Sequence, residues 1–239
     1  MPYKEISGNI FNSNAMTIVN TVNCIGAMGK GIALEFKLRF PEMFDEYKKI
    51  CDQKKLKPGQ ILPYRKSKPW ILNFAIKDDW HHPSKIEWIE SALIKFKENY
   101  KKMGITSIAF PWMGAMNGGI PLNDIKEITR KYLKQINDID VEVYTFDPDE
   151  TDPLFKKLTT LINHSNININ EISKISKIQK RFWEKILNVF LESPPKSLYR
   201  LINLSIDGKK IFGKVTTEKL YYFLSHMKSV DSLKQRSLF

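Results

Sequence analysis

Two apolar periods alternate along the first part of the chain. Tyr3–Phe11 and Met16–Asn23 are short runs with β-branched residues, bounded by Gly and Asn, and they predict strands. After a glycine-rich segment, Ile32, Phe36 and Phe40 share a helical face, and Pro41 interrupts or restarts that helix. Gln60–Tyr64 and Trp70–Ile76 predict two more strands. Ile86, Ile89, Leu93, Phe96 and Tyr100 then recur at helical spacing and line one face. Ser84 followed by Glu87 predicts a capping box at the start of this helix, and Gly104 a stop after it. "ITSIAFPWM" predicts a strand buried on both sides. "PLNDIKEITRKYLKQI" predicts a helix with Leu122, Ile125, Thr129, Tyr132 and Ile136 on one side, and "VEVYTF" a closing strand. Strands separated by helices predict an α/β fold with a mixed, mainly parallel central sheet covered on both faces.

The pattern changes after Phe146. "DPDETDP" predicts a linker or helix entry. Leu154, Leu158, Leu161 and Ile162 predict a helix, and "NHSNININEIS" a polar connection. Ile175, Ile178, Phe182, Ile186 and Val189 predict one further amphipathic helix, with Lys174, Lys177, Arg181 and Lys185 as a basic stripe beside its apolar face. "PPKSLYRLINLSI", the turn at Asp207–Gly208 and "TTEKLYYFLSHM" predict more helix with a small hairpin between. The expected organisation is an α/β domain over residues 1–149 and a smaller, basic, mainly helical unit over residues 150–239, of winged-helix-like build.

Charge sharpens that division. The 239-residue chain carries a net +12. Residues 1–149 hold 22 Lys/Arg against 18 Asp/Glu, a net +4, and residues 150–239 hold 16 against 8, a net +8. The shorter part therefore has the stronger field for nucleic acid or an acidic partner. An Ile-, Asn- and Lys-rich residue usage is the competing source of the excess. No apolar run reaches the length of a membrane span and no signal pattern opens the chain, which predicts no membrane association. The two cysteines, Cys24 and Cys51, are too few for a disulfide framework and suit a reducing cytoplasm.

Ligands of such sheets sit outside the carboxyl ends of the strands, and two glycine-rich loops fall there. In "TVNCIGAMGKGIALEF", Gly26, Gly29 and Gly31 allow backbone N–H groups to converge as an anion nest ahead of a helix N-terminus. The spacing fits neither a Walker loop nor a dinucleotide fingerprint. "FPWMGAMNGGIPLNDI" repeats the arrangement with Gly114, Gly118 and Gly119. Two such loops at matching strand ends suit a diphosphate, whereas a purely structural turn accounts for each loop singly.

Three blocks in order, "NTVNCIGAMGKGIALEFKLRFPEMFDEY", "NFAIKDDWHHPSKIEWIESAL" and "FPWMGAMNGG", resemble the macrodomain of the DarG antitoxin family, which counters the toxin DarT. The resemblance spans nearly all of residues 1–149. It implies a macrodomain fold, ADP-ribose binding and hydrolytic removal of ADP-ribose from thymidine in single-stranded DNA, with no cofactor and no metal. It implies that Asn23 faces the distal ribose and that Gly29, Lys30, Gly31 and Ile32 form the first diphosphate loop. Gly114, Ala115, Met116, Asn117, Gly118 and Gly119 match the second. Asn9, with Ile10 after it, stands where many macrodomains carry an adenine-binding Asp, and Phe146 is placed to flank the adenine ring. Lys77, closing "NFAIK", matches the catalytic lysine of this branch, to which a human terminal ADP-ribose glycohydrolase also belongs. That relative adds an Asp in its second loop, where this chain has Gly118.

From its residues alone, Lys77 is either a solvated strand end or a group able to act on a ribose. As an amine it attacks an anomeric carbon or the opened aldehyde, and as an ammonium it polarises ribose oxygens. Asp78 and Asp79 raise its pKa if they point inward, and burial lowers it. Adjacent His81 and His82 do not suit a metal and are better read as loop residues touching substrate or DNA. Trp80 and Trp112 are open to base stacking or, as the commoner use, packing. Cys24 has no histidine partner in the sequence and is read as packing. Two other activities share this pocket: a non-catalytic ADP-ribose reader and an O-acetyl-ADP-ribose deacetylase. The basic C-terminal unit is expected to bind either a DarT-like toxin or the DNA strand.

Overall fold

A computed structural model describes residues 3–163, 168–206 and 208–227. The chain divides into two compact units, Met1–Phe146 and Asp147–Phe239. The first holds six strands: β1 (Tyr3–Gly8), β2 (Thr17–Val22), β3 (Ile61–Tyr64), β4 (Trp70–Ala75), β5 (Ser107–Pro111) and β6 (Asp140–Phe146). Its helices are α1 (Gly31–Arg39), α2 (Pro41–Asp52), α3 (Ile86–Asn99) and α4 (Leu122–Leu133). The strands form one sheet in the order β1-β6-β5-β2-β4-β3. Every pairing is parallel except β3 with β4, so β3 is an antiparallel edge.

Alternation along the strands builds two cores, one on each face. Leu72 and Phe74 of β4, Ile108 and Phe110 of β5, and Val141 and Val143 of β6 pack with Ile89, Leu93 and Phe96 of α3 and Ile125 of α4. The intervening residues Ile71, Ala75, Ala109 and Tyr144 point to the other face and pack with Phe36 of α1 and Met43 and Tyr47 of α2. Strands buried on both faces read as continuous apolar runs, as the sequence pattern requires. Pro41 restarts the helix: it sits in the first turn of α2, where its missing N–H costs nothing.

Two local expectations are corrected. Ser84 does not cap α3. Lys85 holds the N-cap position without a side-chain bond, Ser84 N–H donates to Gly118 O at 2.8 Å, and the Ser84 hydroxyl has no partner among the described residues. The loop contact fixes Ser84 one residue too early and shifts Glu87 out of capping register. The single amphipathic helix expected around Ile175–Val189 is two helices, α6 (Ile169–Ser176) and α7 (Lys180–Glu192). Lys177 between them takes a left-handed conformation, φ 56°. Ser176 Oγ accepts from Ile178 N–H and from Trp183 Nε1–H, while Ser173 Oγ donates to Ile178 O. Side-chain bonds to the backbone of this kind compete with a continuous helix.

The second unit also contains α5 (Pro153–Ile162), α8 (Leu198–Ile202), α9 (Lys214–His226) and a two-stranded ribbon, β7 (Ser205–Ile206) with β8 (Lys209–Lys210). Trp183 is its largest buried side chain and meets Phe223 edge-on at 5.9 Å. The unit begins at Asp147, three residues before the expected boundary. Ser197 Oγ donates to Pro148 O, and Arg200 Nε donates to Asp149 Oδ1 at 2.7 Å, which ties residues 147–149 to α8.

The α3 core converges on Phe110, whose ring meets Phe74 edge-on at 5.7 Å and Phe96 at 5.3 Å. Phe110→Ala is expected to destabilise the first unit by about 3–5 kcal/mol. Urea unfolding followed by circular dichroism measures this; a loss below ~1 kcal/mol would mean that the cavity collapses freely.

Candidate functional site

The parallel strands deliver five connections to one edge of the sheet. Gly8 of β1 and Phe146 of β6 are register partners at their carboxyl ends, as are Val22 of β2 and Ala75 of β4. The segments leaving these ends carry the candidate residues: 9–13, 23–30, 76–85, 112–121 and Phe146 itself. Across the sheet edge the order is Asn9 and Phe146, then the two glycine loops, then Lys77.

Asn23 is the hub of the first loop. It is buried, its Oδ1 accepts from Ile25 N–H at 3.1 Å, Ala27 N–H at 3.2 Å and the Tyr47 hydroxyl at 3.0 Å, and its Nδ2 donates to Ala27 O at 2.6 Å. The Tyr47 hydroxyl also contacts Asn23 O at 2.8 Å. Burial and the neighbouring Cys51 push the Tyr47 phenol well above its ordinary pKa, so it stays protonated and remains a donor. The carboxamide oxygen is fully committed to loop structure, and one Nδ2 hydrogen is left over from these bonds. Tyr47 escaped the sequence reading because the Met43, Tyr47, Cys51 spacing marks only a buried helix face. Burial also pushes the Cys24 thiol up to about 12, so it is inert and packs.

The two glycine loops meet at Asn117. Gly31 has φ +58°, and a Cβ there would lie 2.5 Å from Asn117 Nδ2. Lys30 is exposed and occupies the N-cap position of α1 without any side-chain cap, which leaves the first-turn amides free for an anion. Gly29 is exposed, while Ile32 packs partly on the α1–α2 core. In the second loop Ala115 packs partly on the α3 core, Met116 is exposed, and Gly119 is exposed with φ +76°. Gly118 is buried, and any Cβ on it would run into the Gly114 backbone. An Asp at this position is therefore sterically excluded from this loop, not simply absent from the sequence.

Lys77 follows β4 and is half-buried. Its Nζ donates to Asn117 O at 2.6 Å, and burial lowers its pKa. Asp79 does not raise it: the Asp79 carboxylate is turned to His81, accepting from the backbone N–H at 2.9 Å and lying 2.7 Å from Nδ1. Asp78 is exposed and contributes its carbonyl to Cys24 N–H at 3.0 Å. Asn9 is buried and caps the short 3-10 turn Ile10–Asn12, its Oδ1 accepting from Phe11 N–H at 3.0 Å. The oxygen end is thus occupied and the amide end remains. Ile10 is buried beside it, and Phe146 is exposed at the end of β6. Trp112 is buried with Nε1–H donating to Thr145 Oγ1 at 2.9 Å, whereas Trp80 is exposed. Among the described residues no three His, Cys, Asp or Glu side chains converge as a metal site would require.

Comparison with known proteins bears on the family and the fold. Residues 19–129 match the family model described as "Macro domain". The chain is 36% identical over 143 residues to a DNA ADP-ribosyl glycohydrolase of Thermus aquaticus and 36% identical over 142 residues to one of Mycobacterium tuberculosis. Each match covers 58% of this chain, and the chain spans only 40% of the length of those curated relatives. Among solved structures, the macrodomain of Mycobacterium tuberculosis DarG is similar at 35% identity with a TM-score of 0.57, covering 59% of this chain and 96% of that one. Thermosipho africanus DarTG in complex with ADP-ribose matches at 33% identity and a TM-score of 0.56, covering 61% of this chain and 42% of that one. The chain belongs to the macrodomain family, its first unit being of the DarG type.

Proposed function

We propose that the first unit is a DNA ADP-ribosyl glycohydrolase that removes ADP-ribose from thymidine in single-stranded DNA, working in the cytoplasm as antitoxin to a DarT-like toxin. One observation carries the reading. The order of groups along the sheet edge matches the order of groups in ADP-ribose. Asn9, Ile10 and Phe146 lie at the β1–β6 end for adenine. The loops with Gly29–Ile32 and Gly114–Gly119 lie in the middle for the diphosphate. Asn23 and Lys77 lie toward β4 for the distal ribose. The free amide of Asn9 suits an acceptor nitrogen of the adenine edge, and the uncapped start of α1 suits a phosphate.

Lys77 is the proposed catalytic group. Burial lowers its pKa, the direction a nucleophilic amine needs, and its Nζ is held toward the second loop by Asn117 O, so we assign it the nucleophile's part. Its amine attacks the anomeric carbon as the glycosidic bond breaks. The bond's electron pair goes to the departing base nitrogen, which takes a proton from the newly formed ammonium. Water then hydrolyses the ribosyl–lysine adduct and returns the amine. With Gly118 in place of an Asp, no second-loop carboxylate assists. A non-catalytic reader would bind ADP-ribose and release nothing.

The second unit is proposed to hold the DNA strand. Lys174, Lys177, Arg181 and Lys185 are all exposed on α6, α7 and the turn between them. Arg181 and Lys185 flank the ring of Phe182 at 5.1 and 5.7 Å.

Lys77→Ala is expected to lower release of ADP-ribose from modified single-stranded DNA at least 1000-fold on the order seen for lost nucleophiles, with ADP-ribose affinity by calorimetry kept within about threefold (under ~1 kcal/mol). Retained turnover removes Lys77 from the mechanism. The pH profile separates its two roles. A neutral nucleophile with a depressed pKa gives a rate that rises with pH and levels off below the ordinary lysine value of about 10.4. A rate that instead falls through the same limb identifies the ammonium as the active form. Replacing Lys174, Lys177, Arg181 and Lys185 by Ala is expected to lower the log–log salt slope of single-stranded DNA binding by up to about 3. An unchanged slope, with copurification of a DarT-like toxin lost, assigns the stripe to the toxin instead.

A further inference from the structure

One feature of the site edge is absorbed neither by the ADP-ribose path nor by the core. Trp80 leaves 52% of its surface in water, although tryptophan is among the side chains most strongly drawn inside. Its indole lies against the imidazole of His81, with ring centroids 3.4 Å apart and planes tilted by 30°. His81 is itself fixed, because Asp79 Oδ1 accepts its backbone N–H at 2.9 Å and sits 2.7 Å from Nδ1. The His81 ring therefore orients the indole, and about half of Trp80 remains exposed. Packing energy does not explain such a stack, since both rings stand largely in solvent.

Position gives it an occupant. Trp80 is three residues after Lys77 on the same connection, so their Cα atoms are at most about 11 Å apart. Phe146, at the adenine end, leaves β6, which is separated from β4 by β5 and β2. Three strand spacings put the two connections about 14 Å apart. ADP-ribose laid from Phe146 to Lys77 ends at β4, so the base joined to its distal ribose comes to the connection that carries both Lys77 and Trp80. Met116 and Ile25, on the two glycine loops, are also exposed.

We propose that the Trp80–His81 stack is a nucleobase platform, which holds a base flanking the modified nucleotide of the single-stranded DNA substrate. Every base has a π-face, so the platform grips the strand without reading its sequence. Asp79 and His81 are positioning residues that keep the indole presented. This inference rests on the glycohydrolase reading for its substrate and adds the DNA-side contact that distinguishes a strand from free ADP-ribose.

The test compares the 239-residue wild type with Trp80→Ala and Trp80→Phe on two substrates: an oligonucleotide carrying one ADP-ribosylated thymidine, and the ADP-ribosylated nucleoside alone. Trp80→Ala is expected to lower kcat/KM on the oligonucleotide about tenfold, chiefly through KM, with no change on the nucleoside or in ADP-ribose affinity. Trp80→Phe restores most of the loss. An oligonucleotide with abasic flanks should make wild type behave as Trp80→Ala does. Equal loss on both substrates, or none on either, overturns the platform. If wild type turns over neither substrate, the glycohydrolase reading fails, and anisotropy of a short unmodified oligonucleotide at fixed salt decides the platform separately. Weaker binding by Trp80→Ala supports it, and unchanged binding overturns it.

Discussion

Parallel pairing forces all the carboxyl ends of β1, β6, β5, β2 and β4 to one edge, because a parallel neighbour is reached only by a crossover that returns the chain to the starting side. The crossovers here run through α1–α2 on one face and α3 and α4 on the other, and their apolar faces supply the two cores. Each strand end then opens a loop whose backbone groups have left the ladder and need other partners. That unpaired edge is what the site is made from. Residues distant in sequence, such as Asn9, Lys77 and Asn117, come to line one edge because their strands end there, with no need for a scaffold of their own.

The loops are held by a few polar side chains that spend their capacity internally. Asn23 takes three donors on one oxygen, and Tyr47 reaches from α2 to be one of them. Lys77 ties the end of β4 to the second loop through Asn117 O, and Ser84 ties the start of α3 to the same loop through Gly118 O. The second loop is thus anchored from two directions, while Gly114 and Gly118 close on each other inside it. Such pinning leaves the backbone little to reorganise when a ligand arrives, which is how a site keeps the entropic cost of binding low.

The sheet, its alternation with helices and both glycine loops were legible in the sequence because each follows from a period or from a glycine cluster. Ile89, Leu93 and Phe96 announce a core face by helical spacing alone. What the sequence hid depends on tertiary contacts. Ser84 and Glu87 have capping-box spacing, yet the bond from Ser84 N–H to Gly118 O displaces the cap. Ile175, Ile178 and Phe182 keep a helical period across a break that Ser173 and Ser176 create by bonding to Ile178. Asn23 was visible as a loop residue, but its saturation by Tyr47 was not, since a helix-face tyrosine carries no sign of what its hydroxyl meets. Trp80 and Trp112 look equivalent in sequence; only burial separates the one that packs from the one that faces water.

The lysine and the glycine loop set conditions on each other. Gly118 leaves no space for a side chain, so the second loop contributes backbone carbonyls and amides but no carboxylate near Lys77. A carboxylate there would hold the lysine as an ammonium through an attraction that strengthens as water is excluded. Partial burial moves Lys77 the other way. The neutral carbonyl of Asn117 accepts a hydrogen bond from either protonation state, so it orients Nζ without fixing its charge. A loop tight enough to exclude an Asp is therefore compatible with the amine role proposed for Lys77.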